Sequence, residues 1–277
     1  MISIDDAATD TVNTNGPEPD AEAARATIPN DRLLGATEAE GRERWALTYA
    51  VDGDLRFISH HDTLRLFQRA LARADLPVRF SKGFNPHASV SVVLPRPVGV
   101  ASDVDVVVIE FERRLGERDA IAKLSAQMPR GLSLGSARRL ERGEKLHPSL
   151  ARYRLDASGL LPIDVDQRIL AILESASLPM ERKHAKTGQT RVIDARPYIE
   201  DIQRCDSAIE FALRITETGT VRPAEMVALL GMNAQAGVAR IRRIEIHWRN
   251  TSGRTNKSHD GRKERTQEDP EEEDRQG

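Results

Sequence analysis

Cysteine is almost missing from this 277-residue chain: Cys205 stands alone, which excludes an internal disulfide framework and any iron–sulfur cluster held by several cysteines of the chain. Aromatic residues make up 4%, and no predicted strand carries the closely spaced aromatic pair on which RNA-recognition sheets stack bases. No apolar run approaches the roughly 18 residues of a membrane-crossing helix. The opening Met1-Ile2-Ser3-Ile4-Asp5-Asp6 has no basic stretch followed by an apolar core, so no secretory leader is expected; the cytoplasm is the expected compartment and no membrane partner is expected. No His/Cys set has the compact spacing of a metal motif on one helix.

Charge is present in quantity but unevenly placed. The formal net charge is −2, yet residues 1–43 hold three Lys/Arg against ten Asp/Glu, and 44–250 hold 32 against 25. Acidic ends thus mask a basic middle, which is compatible with an acidic partner such as RNA. Residues 1–43 are rich in Ala, Asp, Glu, Thr, Asn and Pro, and 251–277 carry mixed charge with Glu271-Glu272-Glu273-Asp274. Neither stretch has the apolar content to offset the entropy of ordering, so an acidic disordered arm and a charged disordered tail are predicted.

Between them the hydrophobic pattern predicts strand 45–51, helix 62–74, a strand from about Val90, strand 104–112, helix 117–127 and a strand from Leu132. The order strand, helix, strand, strand, helix, strand suits a ferredoxin-like sandwich. A second set follows: strand 152–157, helix 163–174, a hairpin of 178–183 with 191–193, strand 208–216, helix 223–230 and strand 239–248. Pro223 fits the first position of its helix. The expected fold class is therefore α+β, two tandem ferredoxin-like (βαββαβ) units at 44–142 and 150–250, with disordered tails at 1–43 and 251–277.

The chain is organised around Phe80-Ser81-Lys82-Gly83-Phe84-Asn85-Pro86-His87, which runs into Val90-Ser91-Val92-Val93-Leu94 and Pro95-Arg96-Pro97-Val98-Gly99. Gly83 can take positive φ and Asn85-Pro86 favours an extended turn entry, so a histidine is expected at a strand mouth. A tight connection with Phe84 plugging the core would explain the same residues. A second polar cluster, Ser59-His60-His61-Asp62, has capping-box form, giving Ser59 and Asp62 structural duties but none to His60. Behind it Arg65, Arg69 and Arg73 recur every four residues. With Arg79 they are candidate phosphate contacts, or simply a solvated helix face. In the second half Lys186, Asp194 and Arg196 form a polar set around the hairpin, for which a surface ion-pair group is the plainer reading.

Ser59-His60-His61-Asp62, Phe80-Ser81-Lys82-Gly83-Phe84-Asn85-Pro86-His87, Pro97-Val98-Gly99 and Asp194-Ala195-Arg196-Pro197 resemble the radical SAM-associated proteins, a bacterial family of unknown function encoded beside or fused to a radical SAM protein. His61, Lys82 and Ala88 depart from that pattern. The resemblance implies an accessory or substrate-binding protein, with S-adenosylmethionine and the iron–sulfur cluster on a separate radical SAM partner and no cofactor on this chain. RNA or a small carrier would be the substrate held. Together with the polar set at the hairpin, the candidate binding residues are Ser59, His60, Asp62, Ser81, Gly83, Phe84, Asn85, Pro86, His87, Gly99, Lys186, Asp194 and Arg196. Two alternatives stand beside it: RNA binding through the basic helix face, and an enzyme using His60, His87 and Asp62 as a metal or acid/base site. The last requires His60 and His87 to share a pocket, which an extended return of Pro77–Ser81 along the helix would allow.

Overall fold

A computed structural model of the chain describes residues 41–183 and 187–249. The expected tail 251–277, residues 1–40 of the expected arm, and Lys186 lie outside the described residues. The first half contains β1 (Glu43–Val51), α1 (His60–Arg73), β2 (Val90–Val92), β3 (Ala101–Phe111), α2 (Glu117–Ser125) and β4 (Leu132–Leu140). The second contains β5 (Pro148–Asp156), α3 (Val165–Glu174), β6 (Pro179–Lys183), β7 (Thr190–Asp194), β8 (Ile199–Cys205), β9 (Ala208–Arg214), α4 (Pro223–Leu229), α5 (Ala234–Val238) and β10 (Ile241–Trp248).

The fold is α+β, a large and mostly antiparallel sheet with few helices. Its strands run β4-β1-β3-β10-β5-β9-β8, with β2 also paired to β3, and β6-β7 form a separate hairpin. Each half places its last strand beside its first. The halves meet where β10 runs parallel to β3, Arg242 opposite Ala101 and Arg243 opposite Ser102.

Alternation along the strands sets two faces. Trp45, Leu47, Tyr49 and Val51 of β1 pack with Phe67 and Leu71 of α1 and Leu124 of α2. Tyr153 and Leu155 of β5 pack with Ile169 of α3 and Met226 of α4. The register row Val51–Ser102–Arg243–Tyr153 crosses the seam, so the helices of both halves cover the same face. The Ser59 side chain accepts from the Asp62 N–H and starts α1 two residues earlier than the periodicity alone suggests. The helix ends just before Asp75, whose φ of 51° turns the chain out.

Several elements differ from the sequence expectation, among them the short helix α5, which the pattern did not predict. The Val/Ser strand is cut to three residues in β2, because Pro95 and Pro97 follow and cannot donate to a ladder. The predicted hairpin exists, β6 with β7, but it leaves the main sheet, and β8 takes the edge place beside β9. A register shift between Ile199 and Asp201 puts Ile199 and Ile202 on one face three residues apart, which hides β8 from a search for strict alternation. Helix α3 begins at Val165, leaving Ile163 outside it and fully exposed.

Candidate binding surfaces

The organising loop is pinned at its neck. Phe80 bridges Ala88, the Ser81 N–H donates to the His87 carbonyl at 2.8 Å, and the Ser89 N–H donates to the Arg79 carbonyl at 2.7 Å. The His87 N–H donates to Ser81 Oγ at 2.9 Å. Gly83 takes φ 149°, a value open to glycine. Residues 81–87 are all exposed, and Phe84 is 106% exposed. Phe84 therefore neither plugs the core nor walls a pocket, as the sequence had suggested: the neck bonds close the loop on itself and hold its tip in solvent.

Beneath the loop lies a groove of about 190 Å³, with Phe80, Pro86 and His87 on one side and Gln68, Leu71 and Ala72 on the other. His60, Ser59 and Asp62 do not line it. His60 opens α1 and Gln68 lies eight residues on, about 12 Å along the axis. The expected return along the helix is replaced by pairing, since Val78 bridges Phe111 and the Arg79 N–H donates to the Glu110 carbonyl, so the chain follows β3. His60 instead lies 5.6 Å, ring to ring, from His61. Among the described residues no three His, Cys, Asp or Glu side chains are placed to hold a metal ion.

Ser59 and Asp62 form a reciprocal pair, Ser59 Oγ donating to Asp62 Oδ2 at 2.6 Å and accepting from the Asp62 N–H at 3.1 Å. The Ser59 hydrogen bond, with Arg65 adding a smaller pull, holds the Asp62 carboxyl below the usual aspartate range. Arg65, Arg69 and Arg73 line one groove of about 300 Å³ whose apolar wall includes Leu66, Ile58 and Pro129. Arg65 is 3.4 Å from Asp62, Arg73 donates to the Gln127 carbonyl at 3.4 Å, and Arg69 makes no hydrogen bond or ion pair among the described residues. Arg79 stands apart from this stripe, paired to Glu110 at 2.9 Å.

The remaining predicted residues hold the chain's own turns. Gly99 has φ 93°, and a Cβ there would lie 2.8 Å from Val238 Cγ1. Asp194 accepts from the Leu178 N–H at 2.7 Å and the Arg196 N–H at 3.0 Å; these backbone bonds pull its pKa down. The Arg196 guanidinium donates to the carbonyls of Ile199 at 2.8 Å and Leu173 at 2.9 Å. Asp194 and Arg196 thus organise the connection from β7 to β8 through backbone groups, where the sequence suggested an ion-pair group.

Sequence reasoning missed a buried polar cluster at the seam. Asp105 accepts from Arg243 at 2.9 Å and from Ser102 at 2.5 Å, and its other oxygen lies 3.4 Å from Arg96 Nε. Arg96 also donates to the Arg56 carbonyl at 2.8 Å, and Arg243 lies 5.6 Å from the centre of the Tyr153 ring. Burial, reinforced by Asp105, pushes the Tyr49 phenol well above its ordinary value. The available signal was Asp105 set between Val104 and Val106 in β3 and an Arg at an inward position of β10. Also missed was a cavity on the opposite face beside Trp248.

A protein-family model described as "Uncharacterized protein conserved in bacteria (DUF2344)" matches residues 44–223, and the chain belongs to that family. A search of curated proteins found no match. Among solved structures the chain is similar to one titled "Crystal Structure of an Unknown Protein from Galdieria sulphuraria", with 10% identity, 76% of this chain and 99% of that chain covered, and a TM-score of 0.23. A score so low says nothing of fold or function.

Proposed function

We propose that this chain is a non-catalytic accessory protein that docks through the Ser81–His87 loop onto a separate enzyme, and that the enzyme is a radical SAM protein. The observation that carries the docking role is the loop itself, pinned at the neck with Phe84 wholly in solvent. A turn whose neck is already pinned has less backbone freedom to lose on binding, and aromatics are favoured as interface anchors. The nature of the enzyme rests on the family resemblance of the loop and its companion motifs. The strand orders β4-β1-β3-β2 and β10-β5-β9-β8 support reading the halves as two ferredoxin-like units, the second interrupted by the β6-β7 hairpin.

Affinity capture of the full chain from its source cell tests the docking. Wild-type protein should recover a radical SAM enzyme, and Phe84→Ala should reduce that recovery to background. Equal recovery by the variant, or capture of RNA with no enzyme, would overturn the reading.

A second reading, RNA binding along α1, is favoured by one observation: Arg69 has no partner among the described residues and shares a groove with Arg65 and Arg73. Such a row suits phosphate contacts that position a strand without reading its sequence. Arg69→Glu should then weaken RNA retention in a filter-binding assay and lower its salt dependence; an unchanged salt slope counts against it.

A further inference from the structure

The sheet face opposite the helices carries a cavity that no sequence motif foreshadows. Trp45, Leu47 and Tyr49 point to the helices, so Ala46 and Thr48 point the other way, joined by Val106 of β3. These side chains are small, and β4 comes so close that a Cβ on Gly135 would lie 2.5 Å from Thr48 Oγ1. The result is a hollow of about 300 Å³, walled by Leu146 from the segment joining the halves and by Trp248 at the end of β10. Trp45 is 1% exposed in the core, whereas Trp248 is only partly buried.

The rim is cationic. Arg138 is tied to Glu144 at 2.6 and 3.1 Å, and Arg249 donates to the Ile215 carbonyl at 3.1 Å. Lys145 has no hydrogen bond or ion pair among the described residues. Two residues before Ala46 on the same face of β1, about 7 Å away, Arg44 opens a second cleft of about 310 Å³ whose charged lining also includes Arg42, Arg79 and Arg142 against Glu43, Glu110 and Glu141. Glu110 neutralises Arg44 at 3.5 Å and Arg79 at 2.9 Å. Arg142, like Lys145, has no partner among the described residues. Arg44 donates to the Glu144 carbonyl at 2.8 Å, so the joining segment runs between the hollows and offers each one cation that is unpaired among the described residues.

We propose that this face binds a nucleotide unit, free or within single-stranded RNA, with the base against Trp248 over Ala46 and Val106 and the phosphates at Lys145 and Arg142. An apolar aromatic hollow beside a cationic cleft, at the spacing of alternate strand residues, matches the alternation of base and phosphate; stacking on an aromatic ring with phosphate held by cations is how proteins grip unpaired nucleotides. The site lies on another face from α1 and its row of arginines, and it does not depend on the docking role of the loop.

The test is calorimetric titration of the full chain with the four ribonucleoside monophosphates and with an RNA octamer. Saturable binding is expected. Trp248→Ala should weaken it by tenfold or more, the double variant Arg142→Glu, Lys145→Glu should weaken it and flatten its salt dependence, and Phe84→Ala should leave it unchanged. Binding of both probes supports a free-nucleotide site, and binding of the octamer alone supports an RNA site. Should Trp248→Ala fail to fold, the exposed double variant decides. Absence of saturable binding by both probes, or undiminished affinity in the charge-reversed variant, overturns the proposal.

Discussion

At the scale of single residues, the same motif divides its members between structure and exposure. Ser59 and Asp62 are occupied with each other, so Ser59→Ala should cost about 1 kcal/mol in urea unfolding at neutral pH, the usual worth of an N-cap. The Asp62 carboxyl is depressed by that pair, so its contribution is present above the ordinary aspartate value and is lost as pH falls through the lower folded value. Urea midpoints of the wild type should therefore fall as pH drops below about 4, and Ser59→Ala should fall less steeply over that window. Phe84, by contrast, touches nothing that folds the chain. Phe84→Ala should leave stability within about 0.5 kcal/mol, and a larger loss would show that the tip packs on the body of the protein.

At the scale of elements, the loops are ordered by contacts that cross between them. Gly99, in the turn before β3, is approached by Val238 of α5, so a first-half turn seats a second-half helix. Gly99→Ala combines a positive φ with a close contact to a side chain. It should destabilise by about 1–3 kcal/mol while leaving partner capture intact at temperatures where the chain remains folded. A loss of capture without loss of stability would return Gly99 to the binding surface. The β6-β7 hairpin is held to α4 through Arg182, which grips Glu225 at 2.8 and 2.5 Å, a bidentate pair with both side chains largely buried.

At the scale of the whole molecule, the two halves share one sheet and one buried charge cluster. Asp105 stands between Arg243 and Arg96 with 0% side-chain exposure, so Asp105→Ala would strand two buried guanidinium groups. The expected cost is about 3–5 kcal/mol, measured by urea denaturation. A loss under about 1 kcal/mol would show that water or backbone carbonyls alone satisfy the arginines. The expected change is large because breaking one partner of a buried pair leaves desolvated charge behind, whatever the net worth of the intact pair.

The alternation of β1, β3 and β9, the 3.6-residue periods of α1 and α3, and the cap at Ser59 are local properties. They follow from side-chain geometry within a few residues, so the sequence by itself determined them. It also placed Arg65, Arg69 and Arg73 on one helix face, because i and i+4 are neighbours on any helix. Tertiary structure decided the rest. Whether the histidines meet depended on which strand edge captured residues 78–89, and β3 rather than the length of α1 captured them. The hairpin left the main sheet and β8 replaced it because pairing is settled between segments distant in sequence, with a bulge obscuring the pattern. The Trp248 hollow exists because side chains on β1 and β3 are brought beneath a tryptophan far along the chain from both strands, a proximity that no local pattern encodes.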